Sequence, residues 1–315
     1  MFWIDGHCDV LYKMWKSGGN LSFYAPDSSL DVTFSSAQRS RLLMQVFAIW
    51  VPEEVSRHLA WHVALRQVDL FYERIVQDST RTFVITESSH LDQLREGKLG
   101  AFLLLEGADA LQGEIAYLRT LYRLGVRQVG LTWNHANEAA DGIEEPRGGG
   151  LTRFGQQLIK EMARLGMIVD VSHLSVRGFW DVMEYTDVPV VASHSNCYAV
   201  CPHPRNLGDD QIRALIERGG LIGITFVPKF VHQQGKEARW DHLFRHIDHI
   251  CHLGGAGSIA FGSDFDGTEE KIPGLAHAGD FADFAEKLMK RYPEEWVRKW
   301  TGENWLTFYR TYLRN

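Results

Sequence analysis

The sequence predicts an α/β protein, a TIM-type (β/α)8 barrel that residues 1–315 form as one domain with C-terminal helices. The chain contains eight short, almost continuously apolar runs, which are typical of parallel strands buried on both faces. Segments with the apolar spacing of amphipathic helices separate most of these runs. A length of 315 residues, 45% of them apolar, is typical of one such barrel with insertions.

The predicted strands and helices alternate along the chain. We expect the strands at residues 2–5, 42–51, 100–106, 128–132, 167–171, 188–193, 220–226 and 258–262. We expect helices within 52–78 and at 88–96, 111–122, 154–165 and 240–253, and two or three more within 280–313. A short extra strand is expected at 82–85. The aromatic residues of the tail indicate core packing or a subunit contact.

The bulk composition excludes several classes of partner. The net charge is −7, and no run of lysine or arginine stands out, which argues against nucleic acid or an anionic membrane as the main partner. No stretch has the roughly eighteen consecutive apolar residues of a membrane helix. No cleavable signal fits ahead of the first motif. We therefore expect a cytoplasmic protein.

Residues that commonly bind metals follow the ends of several predicted strands. They are His7, Asp9, Glu106, His173, His194 and Asp264. The carboxyl ends of barrel strands converge on one face, so these side chains should meet there. Three histidines with two or three carboxylates predict a metal site, and their number favours two metals.

The first three candidates differ in how strongly they indicate a metal. His7 and Asp9 are two residues apart, which places both on one side of an extended chain, although this pair alone is a weak signal. Glu106 ends a strand after three leucines, where a buried carboxylate is costly unless it is paired or binds a metal. A salt-bridged structural glutamate is the alternative. As a ligand, its two oxygens could bridge two metals.

The remaining candidates suggest hydrolysis. His173 and His194 each end an apolar run, and neutral imidazole suits zinc, although either residue alone could be a core histidine. Asp264 could take a proton from a water activated by metal and pass it to a leaving group. Asp266 is interpreted as a turn or capping residue. The metal site predicts hydrolysis of an amide, ester or phosphoester without choosing among them.

Several motifs of the chain also occur, in the same order, in a known family. They are Asp-Gly-His-Cys-Asp, Leu-Glu-Gly-Ala, Gly-Val-Arg-Gln-Val-Gly-Leu-Thr, Val-Asp-Val-Ser-His, Ser-His-Ser-Asn followed by Cys-Pro-His-Pro-Arg-Asn, and Phe-Gly-Ser-Asp-Phe-Asp-Gly. With them the chain resembles the membrane (renal-type) dipeptidase family, the zinc dipeptidases of peptidase family M19. The resemblance runs over essentially the full length, and it implies a barrel of the metal-dependent hydrolase (amidohydrolase-like) kind.

The resemblance also implies a binuclear zinc centre with assigned ligands. His7, Asp9 and Glu106 would hold one Zn²⁺, and Glu106, His173 and His194 would hold the other. Glu106 would therefore bridge the two ions. The implied substrate is a small dipeptide, L-L or L-D.

Further roles come from the same resemblance. Asp264 matches the family's acid/base carboxylate, so Asp264 and Glu106 are the expected catalytic residues. Arg205 matches the arginine that binds the C-terminal carboxylate of the dipeptide, a task suited to a guanidinium fork. The family commonly forms homodimers, and the aromatic tail is compatible with that arrangement.

The chain departs from the family at one substrate-binding position. Well-known members have a histidine after Leu-Thr at the end of the fourth strand, whereas this chain has Trp133 and then His135. An extended chain would aim both residues the same way, so His135 could replace the missing histidine. An exposed loop histidine is an equal alternative.

Three functions are therefore compared. The first is a zinc-dependent dipeptidase, which accounts for all the motifs. The second is a related binuclear hydrolase acting on another small amide, a lactam or an acyl amino acid, and Trp133 motivates it. The third is a barrel that binds peptides without catalysis, which predicts missing ligands. All six candidate residues are present, so the first hypothesis is preferred.

Overall fold

The computed structural model describes residues 1–25 and 28–315, and these form a parallel sheet of nine strands. The strands are β1 (Trp3–Cys8), β2 (Leu42–Trp50), β3 (Thr82–Val84), β4 (Leu99–Glu106), β5 (Val126–Gly130), β6 (Ile168–Asp170), β7 (Val190–Ala192), β8 (Leu221–Ile224) and β9 (Ile259–Phe261). Neighbouring strands follow the order β1-β2-β4-β5-β6-β7-β8-β9, and β3 pairs with β4 outside this path. Each of the eight predicted apolar runs overlaps one barrel strand, and β3 lies within the predicted extra strand.

The barrel closes between β9 and β1 through the residues that follow each strand. The Asp9 backbone N–H donates to the Phe265 carbonyl at 2.8 Å, and the Asp264 N–H donates to the His7 carbonyl at 3.2 Å. Cys8 and Phe265 form an isolated parallel bridge. Closure therefore brings the ends of the first and last strands together at the carboxyl face, where candidate ligands lie on both.

Helices surround the sheet. They are α1 (Val10–Lys16), α2 (Phe34–Ser40), α3 (Arg57–Leu70), α4 (Ile115–Arg123), α5 (Arg153–Leu165), α6 (Val176–Tyr185), α7 (Asp209–Glu217), α8 (Pro228–Val231), α9 (Trp240–His252), α10 (Phe281–Met289), α11 (Glu294–Arg298) and α12 (Asn304–Tyr312). The helix predicted within 52–78 is thus shorter, and its last turn is a π-helix at Phe71–Ile75. The segment predicted helical at 88–96 forms a 3₁₀ helix at Ser88–Gln93. No helix of the described residues is long and apolar enough to span a bilayer.

The inside of the barrel is filled by side chains of the strands and, at its amino-terminal end, by side chains of the tail helix α12. Asn304 Nδ2 of α12 donates to the Ile259 carbonyl at the start of β9. Trp305 enters the interior, and its Nε1 donates to the Phe261 carbonyl at 2.9 Å. Gly6 of β1 faces this indole, since a Cβ at Gly6 would lie 2.4 Å from a Trp305 ring carbon. The tail aromatics are thus mainly core, and α12 closes the amino-terminal end of the barrel.

Candidate metal centre

The predicted metal-binding residues all lie at the carboxyl face of the barrel. They are His7 in β1, Asp9 directly after β1, Glu106 at the end of β4, and His173, His194 and Asp264 in the segments after β6, β7 and β9. Five of them are buried, and Asp264 is partly exposed. The parallel sheet thus brings together residues that are far apart in sequence, as the strand-end pattern predicts.

Glu106 lies between two groups of candidate ligands. Its Oε2 is 3.6 Å from His7 Nε2, whereas its Oε1 is 3.0 Å from His173 Nε2 and 3.4 Å from His194 Nε2. We call His7, Asp9 and Asp264 the acidic half of the site, and His173 and His194 the imidazole half. One carboxylate oxygen of Glu106 therefore faces each half.

The acidic half places two carboxylates beside one imidazole. His7 Nε2 lies 3.5 Å from Asp9 Oδ2, and ligand atoms of His7, Asp9 and Asp264 all lie within 4.8 Å of one another. Gly267 packs directly against this group, because a Cβ there would lie 2.3 Å from Asp9 Oδ2 and 2.4 Å from Asp264 Oδ1. The absence of a side chain at Gly267 leaves room for both carboxylates.

The imidazole half is oriented by hydrogen bonds on the far side of each ring. His173 Nδ1 is 2.6 Å from Asn134 Oδ1, and His194 Nδ1 is 2.8 Å from Ser193 Oγ. The two Nε2 atoms lie 2.9 Å apart. Hydrogen bonds at Nδ1 fix the ring orientation and leave Nε2 for the site, as is usual for histidine metal ligands.

The electrostatics of the site differ between its halves. Burial by itself lowers the pKa of His7, but Glu106, Asp9 and Asp264 raise it to about 10. Burial raises the pKa of Asp264 to about 7, with the charge of His7 opposing the shift. Burial lowers the pKa of both His173 and His194 well below its usual value. The imidazole half is therefore neutral, and the acidic half carries a crowded set of charges.

The donor set suits a divalent metal. Among the described residues, neither ring nitrogen of His7 has a hydrogen-bond partner, and neither does Asp9 Oδ1, although all three atoms are buried. Unsatisfied buried polar atoms are costly, and metal coordination would satisfy those that face the site. Imidazole nitrogens with carboxylate oxygens are ligands that zinc takes in hydrolytic sites. The residues present therefore fit a metal ion at this position.

Two buried aspartates hold the ligand-bearing segments in place. Asp5 in β1 accepts hydrogen bonds from Ser263 N–H at 2.7 Å and Ser263 Oγ at 2.6 Å, next to Asp264. Asp170 in β6 accepts from Ser172 N–H and Ser193 N–H, each at 3.0 Å. Ser172 and Ser193 precede His173 and His194. Sequence reasoning missed both aspartates, although each stands inside a motif that carries a ligand.

Two functional candidates have left-handed backbone conformations. His173 has φ of 68° and Asp264 has φ of 62°. Residues other than glycine rarely adopt this region, although aspartate and histidine enter it more readily than most. Such strained positions cluster at functional sites. The chain thus turns sharply after β6 and after β9, and each turn carries one of the candidates.

A cavity of about 130 Å³ opens over the candidate ligands. Trp133 lies in its wall, with its ring 5.1 Å from the Trp50 ring and 5.8 Å from the His173 ring. Asn134 lines the same cavity. Trp50 and Asn134 were not predicted, but each lies at or just beyond the end of a strand, the same position that marks the ligands.

His135 lies away from this cavity. Its Nδ1 is 2.6 Å from Glu53 Oε1, and its side chain is 49% exposed. It lines a neighbouring depression, which shares Trp133 with the metal-site cavity. The chain bends at residues 133–135, so the alternation expected of an extended strand does not apply. This geometry favours the alternative of an exposed loop histidine.

Arg205 lies buried beside the site. Its Nη2 donates to the His194 carbonyl at 3.2 Å, and its Cζ is 5.4 Å from the centre of the Phe230 ring, which lines the cavity. Among the described residues, its Nε has no hydrogen-bond partner. Asp266, interpreted as a turn or capping residue, accepts from Lys13 Nζ at 3.0 Å and from the backbone N–H groups of Asp31 and Val32, so its carboxylate joins its own turn to a distant segment.

A closed parallel barrel with imidazoles and carboxylates at its carboxyl face defines the class of metal-dependent hydrolases. Comparison with known proteins identifies the family. The model of the membrane dipeptidase family, peptidase family M19, matches residues 1–312, and the chain belongs to this family. The predicted family, barrel and metallo-dipeptidase class are thereby confirmed.

The chain is also similar to solved structures and to one curated protein. A metallo peptidase from Rhodobacter sphaeroides, solved with a phosphinate mimic of the dipeptide L-Ala-D-Ala, is 26% identical, with a TM-score of 0.93 over 99% of both chains. The dipeptidase AC, a metallo peptidase of family M19, is also 26% identical, with a TM-score of 0.94 over 100% of this chain and 99% of that one. An uncharacterised protein in the pqqA 5′ region of Klebsiella pneumoniae is 35% identical over 212 residues, 64% of this chain and 78% of that protein.

Proposed function

We propose that this metallo-dipeptidase uses two zinc ions, bridged by Glu106, to hydrolyse dipeptides. The observation that carries the proposal is the placement of the two Glu106 oxygens. One lies 3.6 Å from His7 Nε2, and the other lies 3.0 Å from His173 Nε2 and 3.4 Å from His194 Nε2. We assign His7, Asp9 and Glu106 to one ion, and Glu106, His173 and His194 to the other. When bound, the ions would activate a water and polarise the peptide carbonyl.

Asp264 is proposed as the proton carrier. It lines the cavity and belongs to the same cluster of candidate ligand atoms as His7 and Asp9. During hydrolysis its carboxylate accepts a proton from the attacking water. It then donates this proton to the nitrogen that leaves as the amine of the second residue. This assignment balances protons over one cycle without a further acid or base.

Arg205 is proposed to bind the C-terminal carboxylate of the dipeptide. Its guanidinium is buried, and its Nε is unsatisfied within the described residues. Burial lowers the pKa of Arg205, opposed by Asp264 and Glu106, but an arginine stays charged at neutral pH. A charged group buried in this way needs a countercharge. A substrate carboxylate would supply it and would also fix which peptide bond meets Asp264.

A relative supports a proposal for the stereochemistry of the substrate. The Rhodobacter sphaeroides protein binds a mimic of L-Ala-D-Ala, and it aligns with almost the whole of this chain. We therefore propose that both L-L and L-D dipeptides are substrates. Trp133 in the cavity wall favours a second candidate, hydrolysis of a lactam or an acyl amino acid. A substrate panel with turnover of these compounds and none of dipeptides would support that candidate instead.

The proposal is tested by metal content and by turnover in the same samples. Zinc-loaded protein should contain two zinc ions per chain by elemental analysis and should hydrolyse L-Ala-L-Ala and L-Ala-D-Ala. Glu106→Gln should lose bound zinc and activity together. The control is Glu161→Gln, which changes a similarly buried glutamate paired with Arg119 and Arg164 outside the site. Full zinc content and full activity in Glu106→Gln would overturn the bridging assignment.

Two further expectations stay predictions. The homodimer and the cytoplasmic location both come from sequence reasoning. Trp296 and Trp180 are large apolar side chains exposed on the described surface, at 39% and 40%. Light scattering of the purified protein would measure its oligomeric state, and fractionation of cells would locate it.

A further inference from the structure

Lys229 and Arg205 place two cationic groups around one ring at the edge of the cavity. Lys229 Nζ lies 5.2 Å from the centre of the Phe230 ring, and Arg205 Cζ lies 5.4 Å from it. Lys229 and Phe230 both line the cavity above the candidate ligands. Lys229 is exposed, whereas Arg205 is buried. The two cations thus differ in depth but share one side of the site.

Neither cation is paired within the protein. In residues 1–25 and 28–315, neither Lys229 nor Arg205 forms a salt bridge with a carboxylate. Glu144 and Glu270 are acidic residues of nearby loops, but both are exposed, so solvent screens their attraction to Lys229. This side of the cavity therefore carries two positive charges without a direct countercharge.

Lys229 lies close to the position proposed for a bound carboxylate. It lines the same cavity as Glu106, His173 and Asp264. The Phe230 ring, which has both cations near it, also lies 4.6 Å from the ring of His203, two residues before Arg205. A ligand held at Arg205 would therefore lie within reach of Lys229.

We propose that Lys229 makes the enzyme prefer dipeptides whose second residue has an acidic side chain. This inference rests on the proposed function, in which Arg205 binds the C-terminal carboxylate. That contact neutralises one cation and leaves Lys229 free. The side-chain carboxylate of a C-terminal aspartate or glutamate starts from the Cα that carries the bound carboxylate, so it can reach a cation beside Arg205. The exposed position of Lys229 also leaves room for side chains of different length.

The test compares two substrates of nearly the same shape. Zinc-loaded wild-type enzyme should have a higher kcat/KM for L-Ala-L-Glu than for L-Ala-L-Gln. Lys229→Met should lower the ratio of the two values about fivefold, the size expected of one solvent-accessible ion pair, mainly through KM. Lys229→Arg should keep the ratio. Added salt should reduce it in the wild type, because screening weakens exposed ion pairs.

Lys236→Met is the matched control. Lys236 is an exposed lysine in the next turn, Gly235–Glu237, and it does not line the cavity. Its removal should leave the ratio unchanged. An equal ratio in wild type and Lys229→Met, or an equal drop in Lys236→Met, would overturn the inference while dipeptide hydrolysis still stands.

A binding measurement separates the two proposals further. Calorimetry with L-glutamate and L-glutamine on the zinc-loaded protein tests Lys229 without any turnover. Weaker binding of L-glutamate in Lys229→Met, with L-glutamine changed less, supports the inference. Equal losses for both ligands contradict it. If wild-type enzyme binds L-glutamate but hydrolyses no dipeptide, the proposed function fails by itself.

Discussion

The two halves of the candidate metal site position their side chains in different ways. In the imidazole half, His173 and His194 each have a hydrogen-bond partner behind the ring, Asn134 and Ser193. In the acidic half, His7 has no such partner among the described residues and is surrounded by carboxylates. The first half is oriented by neutral hydrogen bonds, and the second is organised by charge.

This difference predicts which changes should weaken each half. Neutral imidazoles held at Nδ1 keep their orientation through their neighbours, so substitutions outside the ligand set should weaken this half. The acidic half places several carboxylates around one ring, so its stability should depend on the cation that compensates them. The predictions below would separate the two halves, starting with the largest effect.

Asp264→Asn should remove proton transfer and leave the site otherwise intact. We expect kcat to fall about 10²- to 10⁴-fold, the usual contribution of general acid–base catalysis. Zinc content should stay at the wild-type value, because Asp264 is assigned no ligand role. Steady-state kinetics and elemental analysis measure the two quantities. Near-wild-type kcat would refute the proton carrier, and loss of zinc would make Asp264 a ligand.

Asn134→Ala should weaken the imidazole half alone. Without the Asn134 oxygen, His173 loses its hydrogen bond at Nδ1. Losing such an outer partner typically costs about 10- to 100-fold in metal affinity, so one of two zinc ions should bind more weakly. Competition with a chelator measures the affinities. Asn20→Ala, an exposed asparagine, is the control. Equal weakening of both ions would contradict the separation of the halves.

Asp5→Asn and Asp170→Asn test whether these two buried aspartates hold the segments of the two halves in place. An amide nitrogen cannot accept a hydrogen bond. Asp5→Asn therefore weakens the pair of bonds from Ser263, and Asp170→Asn removes the acceptor of Gln128 Nε2, which donates to Asp170 Oδ2 at 3.1 Å. We expect the free energy of unfolding to fall by about 2 kcal/mol in each, since hydrogen bonds to charged groups are lost. Urea denaturation measures this loss. Asp5→Asn should then impair the acidic half, and Asp170→Asn the imidazole half, in zinc binding. If Asp5→Asn impaired the imidazole half and Asp170→Asn the acidic half, these roles of the two aspartates would be disproved.

Mild acid should destabilise the folded segment that follows His194, through the protonation of His246. His246 Nδ1 accepts from Cys197 N–H, three residues after His194, and its Nε2 faces the Val231 carbonyl. Burial lowers the pKa of His246 to about 4. The folded state therefore favours the neutral form of His246. The stability that this preference contributes is complete above the pKa of histidine in the unfolded chain, about 6.5. It is lost as the pH falls from there toward 4.

The expected loss is about 1 kcal/mol at pH 5.5. His246→Gln should remove this part of the pH dependence of unfolding between pH 7 and 5. The exposed His62→Gln variant should keep it. Chemical denaturation at several pH values gives the comparison. An identical pH dependence in wild type and His246→Gln would rule out His246 as its source.

The sequence was sufficient to predict the strands and the convergence of the candidate ligands, because both follow one repeated pattern. Each barrel strand is an apolar run, and each candidate ligand lies in one strand or within three residues of a strand end. Closure of the sheet then makes convergence unavoidable. The family resemblance supported the bridging role proposed for Glu106. It alone supplied the role proposed for Arg205, which no local pattern indicates.

The parts that could not be predicted depend on how the chain bends after a strand. His135 was expected to alternate with Trp133, but the chain turns at residues 133–135 and His135 pairs with Glu53 instead. Asn134 reaches His173 because of the same turn. Lys229 and Arg205 lie near one ring, although Lys229 belongs to α8 and Arg205 to the loop between β7 and α7. Such proximity depends on tertiary packing, which apolar periodicity does not encode.

The contact between Gly6 and Trp305 limits which sequences this enzyme can accept. A methyl group at Gly6 would overlap the indole, and His7 is the next residue. Gly6→Ala should therefore displace the first ligand, and a smaller ring at position 305, as in Trp305→Phe, should partly restore it. Trp305 would then act as a suppressor site for defects in the active centre. Directed evolution of substrate range should accordingly sample the tail helix together with the first strand.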